Sequence, residues 1–179
     1  MAETDNSFLG DKVEMRANHL PKSKGEVRVL DCFHGSGLIW AGVSRHTNKK
    51  ISVLAMEKKE IYDFHLPGDN ISYLMSIDLS RFDVIDLDAY GVPYEQLKII
   101  FERGFRGTVF ATFIQSVYGS INHHLLTDLG FTEIMINKSP AILYKRGWEY
   151  FMQWLASHGV TDIFHRSKGR KHYLGFIVA

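Results

Sequence analysis

Acidic side chains stand at or just after the ends of four apolar runs in the first half of this sequence. They are Asp31, Glu57, Asp78 and the pair Asp86 and Asp88. Carboxylates accept hydrogen bonds from hydroxyl and amino groups, whereas they repel pyrophosphate. If one fold brings these acids together, they favour a ligand that carries hydroxyls and an amine and has no phosphates.

Two glycines follow the first of these acids. Asp31-Cys-Phe-His-Gly-Ser-Gly37 comes directly after the apolar segment 27–30 and directly before a helix-like segment, 38–44. Glycine is needed where a buried strand turns sharply into a helix and where a ligand approaches the backbone closely. The turn therefore predicts a small-molecule site at the carboxyl end of the first strand, although the pattern alone does not name the ligand.

Two common phosphate-binding patterns are excluded by the residues around this turn. A dinucleotide-binding turn has a third small residue three positions after its second glycine, which lets the helix pack closely on the strand. Trp40 occupies that position here, and its large indole, together with Asp31 before the glycines, argues against NAD and FAD. The missing Gly-Lys-Ser/Thr argues against a P-loop.

Strand-like and helix-like segments alternate along the chain and predict the sheet that positions these residues. A three-layer α/β fold follows, with a doubly wound and mostly parallel sheet that ends in an antiparallel hairpin. In such a sheet, ligands bind beyond the carboxyl ends of the strands. The predicted strands are 27–33, 51–56, 70–78, 82–91, 107–114, 161–166 and 172–179, and the predicted helices are 38–46, 58–64, 94–103, 121–129 and 144–157.

Length and composition are those of one globular domain. A chain of 179 residues with 45% hydrophobic and 23% charged residues can bury a substantial core, which excludes wholesale disorder. Residues 1–25 are predicted to form an N-terminal arm or helix, with an amphipathic piece at 12–20, and residues 26–179 the ligand-binding domain. We expect a cytoplasmic protein without membrane contact, because no apolar run reaches the roughly 18 residues of a membrane span and the first residues lack the order of a signal peptide.

Cysteine and histidine do not indicate a metal site. The single cysteine, Cys32, lies within a presumed core strand, where a packed thiol is the commoner role. The chain has nine histidines, but neither His123-His124 nor the pair His165 and His172 has a recognised metal-binding spacing. We therefore predict no metal.

The segment 29–37, Val-Leu-Asp-Cys-Phe-His-Gly-Ser-Gly, resembles the first motif of class I S-adenosylmethionine-dependent methyltransferases, in the D-x-F-x-G-x-G form seen in nucleic-acid methyltransferases. The order of the elements resembles that family over residues 26–179. The resemblance implies an enzyme that uses S-adenosylmethionine, with Gly35 and Gly37 near its methionine part, Glu57 on the ribose hydroxyls and Asp78 on the adenine amine. The cofactor-binding set that it implies is Asp31, Phe33, His34, Gly35, Ser36, Gly37, Glu57, Lys58, Asp78, Leu79 and Asp86.

The fourth strand ends in Asp86-Leu-Asp-Ala-Tyr-Gly91, which is similar to the Asp-x-Asp-Pro-Phe-Gly motif of tRNA guanine dimethyltransferases. Ala89 replaces the proline and Tyr90 the phenylalanine. Asp88 is the favoured catalytic residue, because its carboxylate can accept hydrogen bonds from an exocyclic amine and orient the lone pair, while Tyr90 stacks on the base. Asp86 is a second catalytic candidate, with a supporting or solvating carboxylate as the alternative.

Basic residues are concentrated near the carboxyl terminus. The whole chain has a formal net charge of only +1, yet residues 137–179 contain seven Lys or Arg and two acidic residues. The turn 166–171 holds four of these basic residues. Given the resemblance to nucleic-acid methyltransferases, it predicts contact with a phosphate backbone, with a solvated hairpin tip as the alternative. The predicted nucleic-acid-binding residues are Arg166, Lys168, Arg170 and Lys171.

The sequence thus predicts a methyltransferase acting on an amine of a nucleobase in RNA, such as tRNA, or in DNA. Two alternatives stay open. The acceptor is an amine of a small molecule or a protein in the first, and the chain is a non-catalytic S-adenosylmethionine-binding module in the second. A protein partner that supplies target recognition is compatible with all three.

Overall fold

The structure, a computed structural model, describes residues 8–22, 25–58, 66–115, 123–139 and 141–179. Within them, seven strands form one sheet in the order β3-β2-β1-β4-β5-β7-β6. The strands β1 to β5 run parallel, and β7 runs antiparallel to both β5 and β6. The strands are β1 (Glu26–Asp31), β2 (Lys50–Glu57), β3 (Leu66–Pro67), β4 (Val84–Leu87), β5 (Gly107–Ile114), β6 (Val160–Lys168) and β7 (Lys171–Val178).

Helices cover both faces of this sheet, which confirms the predicted three-layer α/β fold with a terminal hairpin. The helices are α1 (Leu9–Asn18), α2 (Leu38–Arg45), α3 (Asn70–Ser76), α4 (Tyr94–Glu102), α5 (His123–Asp128), α6 (Glu133–Lys138) and α7 (Ile142–Ser157), and one 3₁₀ turn spans Leu79–Arg81. No helix among the described residues is long and apolar enough to cross a membrane.

Two separate apolar clusters fill the spaces between the sheet and its helices. The cluster on one face contains residues of α1 and α2, including Val13 and Val43, and the other contains residues of α3, α4, α5 and α7. Side chains alternate between the faces along a strand. Val84 belongs to the α1 side and Ile85 to the opposite side, so that Asp86 points toward α1.

The predicted third strand, 70–78, is wrong, because α3 occupies residues Asn70–Ser76. Asp69 caps this helix by accepting a hydrogen bond from the Ser72 amide, at 3.4 Å. Leu74 is buried, and the weak alternation of the segment is the spacing of one helix face. The third strand is the two-residue β3, which pairs with the end of β2. The predicted helix 58–64 lies outside the described residues except for Lys58.

Candidate functional site

The glycine turn after β1 has the backbone conformation that the sequence predicts. Gly35 and Gly37 have positive φ angles of 54° and 72°, which other residues rarely adopt. A Cβ atom on Gly37 would lie 2.7 Å from Nε2 of His34, so a side chain here would displace the His34 ring in addition to straining the backbone. The Gly35 amide donates a hydrogen bond to Oε2 of Glu57 at 2.8 Å. The turn and the end of β2 therefore form one unit at the carboxyl edge of the sheet.

The side chain of Asp31 is hydrogen-bonded to the first residues of the turn. Its side chain accepts hydrogen bonds from the Phe33 amide at 3.2 Å and from Nδ1 of His34 at 2.9 Å. The hydrogen bond that His34 donates to Asp31 raises the pKa of His34 against the opposing effect of burial. Asp31 thus helps to fix the conformation of the turn, and its part in cofactor binding stays a prediction.

A cavity of about 210 Å³ lies beside the turn and is lined by residues of four segments. Asn70 donates from Nδ2 to the Cys32 carbonyl oxygen at 2.9 Å, and Gln96 donates from Nε2 to Oδ1 of Asn70 at 2.9 Å. This chain of hydrogen bonds ties α3 and α4 to the end of β1. The lining residues are Cys32, Phe33, Glu57, Lys58, Gly68, Asp69, Asn70 and Gln96.

Five of these lining residues lie outside the predicted cofactor-binding set, namely Cys32, Gly68, Asp69, Asn70 and Gln96. Asp69 is the acid that follows β3, the position that was assigned to Asp78. The sequence signal that could have found it is the Pro67-Gly68 turn directly before an Asp-Asn pair, which is typical of a helix N-terminus.

Asp78 and Leu79 are not brought to this site, which corrects their predicted role in cofactor binding. Asp78 caps the 3₁₀ turn through Ser80 and lines a different cavity, of about 420 Å³, with Arg28 and Ser52. Those two residues pair near the beginnings of β1 and β2, at the amino end of the strands. Leu79 is buried in the core on the α3 and α4 side.

Asp86 is fully buried beneath α1 and accepts three hydrogen bonds. Arg16 makes two hydrogen bonds to its carboxylate, from Nε to Oδ2 at 2.6 Å and from Nη2 to Oδ1 at 2.7 Å. Nε1 of Trp40 donates to the same Oδ2 at 2.9 Å. Burial raises the pKa of Asp86 to about 6, although Arg16 opposes that rise. These contacts give Asp86 a structural role, the alternative that the sequence analysis left open.

Asp88 lies two residues further along the same side and is also paired. Nζ of Lys12 is 2.7 Å from its Oδ2, and the hydroxyl of Thr112 donates to its Oδ1. A carboxylate has about four lone-pair sites, and these contacts use one on each oxygen. Asp88 therefore keeps the capacity to accept further hydrogen bonds.

Tyr90 stands just beyond this acid with 86% of its surface exposed. It lines a cavity of about 430 Å³ together with Phe33, Tyr94 and Gln96. Since Phe33 and Gln96 also line the cavity beside the glycine turn, the two cavities adjoin. The hydroxyl of Tyr94 is buried and has no hydrogen-bond partner among the described residues. Such a group needs a hydrogen-bond partner from outside the described residues.

The basic turn between β6 and β7 lies at the same edge of the sheet, because the Gln115 amide, just after β5, donates to the Arg170 carbonyl oxygen at 2.9 Å. Arg166 pairs with Asp11 at 2.7 Å and with Glu14 at 2.8 Å, both on α1.

The other basic side chains of this turn also have neighbours. Nζ of Lys168 is 3.6 Å from Asp11, and Arg170 donates to the Tyr144 carbonyl oxygen at 2.9 Å. Lys171 opens β7 opposite Ile114. The structure brings these four predicted nucleic-acid-binding residues together, and their binding of nucleic acid stays a prediction.

A buried histidine network lies beside that turn. Gln115 donates from its amide nitrogen to two carbonyl oxygens, at 3.1 Å each, so its Oε1 accepts from Nε2 of His172 at 2.9 Å. Nδ1 of His172 then accepts from the hydroxyl of Ser167 at 2.7 Å, and the ring stacks on Trp148 at 4.1 Å. Burial, with smaller effects of His165 and Arg170, lowers the pKa of His172 to about 4.

We expect the folded chain to lose stability as the pH falls from about 6.5, the usual histidine pKa, toward about 4. The reason is that the unfolded chain binds a proton at His172 in this range, whereas the folded chain does not. His172→Gln should flatten this part of the curve of unfolding free energy against pH, measured in urea. His46→Gln, at an exposed histidine, is the control, and equal slopes for the two variants would contradict the prediction.

No protein-family model and no curated protein matches this sequence. Solved structures do match. One match is HI0767, a proposed methylase from Haemophilus influenzae. It superposes with a TM-score of 0.53 at 10% identity, and the match covers 95% of this chain and 87% of HI0767. A proposed methyltransferase from Escherichia coli, yhhF, matches 99% of this chain over 88% of its length, with a TM-score of 0.55 at 10% identity.

A third match is the ribosomal protein L11 methylase from Lactobacillus delbrueckii subsp. bulgaricus. It covers 94% of this chain over 77% of its length, with a TM-score of 0.52 at 17% identity. The chain has the methyltransferase fold. Identities of 10% and 17% show a shared fold and no more. The similarity of segment 86–91 to tRNA guanine dimethyltransferases stays a prediction.

Proposed function

We propose that this chain is an S-adenosylmethionine-dependent methyltransferase whose acceptor is an amine of a nucleobase in RNA or DNA. The observation that carries the proposal is the pair of adjoining cavities at the carboxyl edge of the sheet. One is lined by Cys32 and Phe33 of the glycine turn and by two acids, Glu57 and Asp69, and the other is lined by Tyr90, which follows Asp88 by two residues in the sequence.

The residues beside the glycine turn fit S-adenosylmethionine. Glu57 offers carboxylate oxygens for ribose hydroxyls, and the polar side chains of Asp69 and Asn70 suit an adenine amine. The left-handed glycines allow a ligand to approach the backbone between them. The hydroxyl of Tyr94, a residue that lines the neighbouring cavity, has no hydrogen-bond partner among the described residues and is a further polar group that a ligand would satisfy.

When bound, S-adenosylmethionine supplies a methyl group that its sulfonium already activates, so the contribution of the protein is mainly one of positioning. Asp88 would accept a hydrogen bond from the acceptor amine and direct its lone pair toward the reacting methyl. The exposed ring of Tyr90 offers a flat surface on which a base can stack. Lys12 contacts one carboxylate oxygen of Asp88 and Thr112 donates to the other, which fixes the orientation of the carboxylate.

A nucleic-acid acceptor is supported by the basic turn at the same edge. Its Lys and Arg side chains lie near the end of β5, where a phosphate backbone could contact them while a base enters the cavity. The whole chain carries little net charge, so a protein partner could contribute to target recognition.

The proposal is tested by incubating the purified chain with S-adenosylmethionine labelled in its methyl group and with bulk tRNA, bulk DNA or a cell extract. We expect label in nucleic acid, released as a methylated base on digestion. Label confined to the protein fraction of the extract, or no transfer to any acceptor, would contradict it.

Glu57 and Asp78 make contrasting predictions for cofactor affinity. Glu57→Ala should weaken the binding of S-adenosylmethionine by about tenfold to a hundredfold, the effect of losing hydrogen bonds to a charged group. Asp78→Ala removes an acid at the amino end of the strands and should leave the affinity unchanged. Calorimetric titration of both variants measures the difference, and a larger loss in Asp78→Ala would place the cofactor elsewhere.

A further inference from the structure

The acids at the carboxyl edge of β1 and β4 are each paired with a basic side chain. Asp31 is bonded to His34 at 2.9 Å, Asp86 to Arg16 at 2.6 Å and Asp88 to Lys12 at 2.7 Å. The acids are also close enough to act on one another, since both Asp31 and Asp88 contribute to raising the pKa of Asp86. Arg16 and Lys12 therefore balance the charges of Asp86 and Asp88, although the acids alone suggest a strongly negative site.

Two of these basic side chains come from α1, and both are buried. Arg16 is only 2% exposed and Lys12 only 6% exposed. Val13 and Met15, their neighbours on the same helix, are buried in the core on this side of the sheet. Nζ of Lys12 also lies 5.3 Å from the ring centre of Tyr173 on β7. Lys12 is thus a buried partner that is held in place beside Asp88.

The charge of the acceptor amine decides how favourably it would bind beside the Lys12–Asp88 ion pair. An aliphatic amine is an ammonium ion at neutral pH, and it would meet Lys12 beside an acid whose charge is already balanced. The exocyclic amine of a nucleobase is neutral, so it needs only a hydrogen-bond acceptor. The exposed ring of Tyr90 does not discriminate, because an aromatic face attracts a cation and also stacks on a base. The discrimination therefore comes from the basic side chains of α1.

We infer that Lys12 is a specificity-determining residue, which excludes cationic amines from Asp88 and leaves the site to neutral aromatic amines. This inference rests on the proposed methyl transfer at Asp88. It selects between the two acceptor classes that the sequence leaves open, in favour of a nucleobase over a lysine side chain or another aliphatic amine. Like charges placed together at an interface suppress the wrong partner in the same way.

The test compares two acceptors in one preparation of each variant, bulk nucleic acid and Nα-acetyl-lysine amide, with methyl-labelled S-adenosylmethionine. The unsubstituted chain is expected to label nucleic acid, with little label in the lysine derivative. Lys12→Met should raise the ratio of lysine to nucleic-acid labelling by about tenfold or more, because it exposes the unbalanced carboxylate of Asp88 to an ammonium ion. A loss of folded protein lowers both signals together and leaves this ratio unchanged.

Two further variants act as controls. Lys12→Arg keeps the charge and should keep the original ratio. Lys50→Met removes a lysine that pairs with Glu26 at the amino end of the strands, at 3.0 Å, and should also leave the ratio unchanged. A ratio that stays the same in Lys12→Met protein that circular dichroism shows to be folded overturns the inference alone. Preferential labelling of lysine by the unsubstituted chain overturns the inference together with the nucleobase acceptor. No transfer to any acceptor overturns the proposed function and this inference with it.

Discussion

Asp88→Ala is expected to lower the rate of methyl transfer by about a hundredfold or more at saturating S-adenosylmethionine. The affinity for the cofactor should stay within about threefold of the unsubstituted chain. The physical reason is that the acceptor amine loses the carboxylate that orients it, while the glycine turn and Glu57 are unchanged. Single-turnover transfer of labelled methyl groups measures the first quantity and calorimetry the second.

This substitution also leaves Lys12 without the carboxylate of Asp88, so the fold needs a separate check. The double variant Lys12→Met/Asp88→Ala removes both charges and should be as inactive as Asp88→Ala. Its free energy of unfolding should lie closer to that of the unsubstituted chain. Asp128→Ala, which removes an exposed acid paired with Lys98, is the matched control. If Asp88→Ala transfers methyl groups at the original rate, Asp88 is not the residue that positions the acceptor.

Arg16→Met has the largest expected effect on stability, a loss of about 3–5 kcal/mol in the free energy of unfolding. It removes both hydrogen bonds of the guanidinium to Asp86 and leaves a fully buried carboxylate with only the indole of Trp40 as a donor. Such a carboxylate is costly to keep charged, and Arg16 is the residue that offsets this cost. Urea unfolding at neutral pH measures the loss.

The charge explanation makes a second, sharper prediction for this pair. Arg16→Met/Asp86→Leu replaces both partners by apolar side chains and should recover much of the lost stability, because no charge is left buried. Arg28→Met, which removes an exposed arginine 4.0 Å from Asp83, should change the unfolding free energy by less than about 1 kcal/mol. A loss in Arg16→Met as small as that of Arg28→Met would show that α1 is not anchored through Asp86.

Local sequence patterns predicted the parts of this fold that depend on neighbouring residues. The glycine turn, its preceding strand and the terminal hairpin are specified by apolar runs and by glycines that need positive φ angles. The methyltransferase fold follows from these elements and is confirmed. Residues Glu57 and Gly35 were predicted near one another because the ends of parallel neighbouring strands meet at one edge of the sheet.

The predictions failed where a strand was too short to show a sequence pattern, or where the contacting residues are far apart in the sequence. A strand of two residues, β3, is too short to show any periodicity, so the following helix was interpreted as the strand and Asp78 took the place of Asp69. The contacts of Lys12 with Asp88 and of Arg16 with Asp86 join residues 76 and 70 positions apart. Nothing local to α1 indicates that its basic side chains neutralise the acids after β4.

The most direct test of the whole account is a calorimetric titration of the intact, folded chain with S-adenosylmethionine. We expect binding at one site per chain, and the same titration with NAD should give no binding, since Trp40 and the acids of this edge are unsuited to a pyrophosphate. Binding of S-adenosylmethionine that Glu57→Ala weakens would support a cofactor site at the glycine turn. No binding to a chain shown to be folded would contradict the central claim.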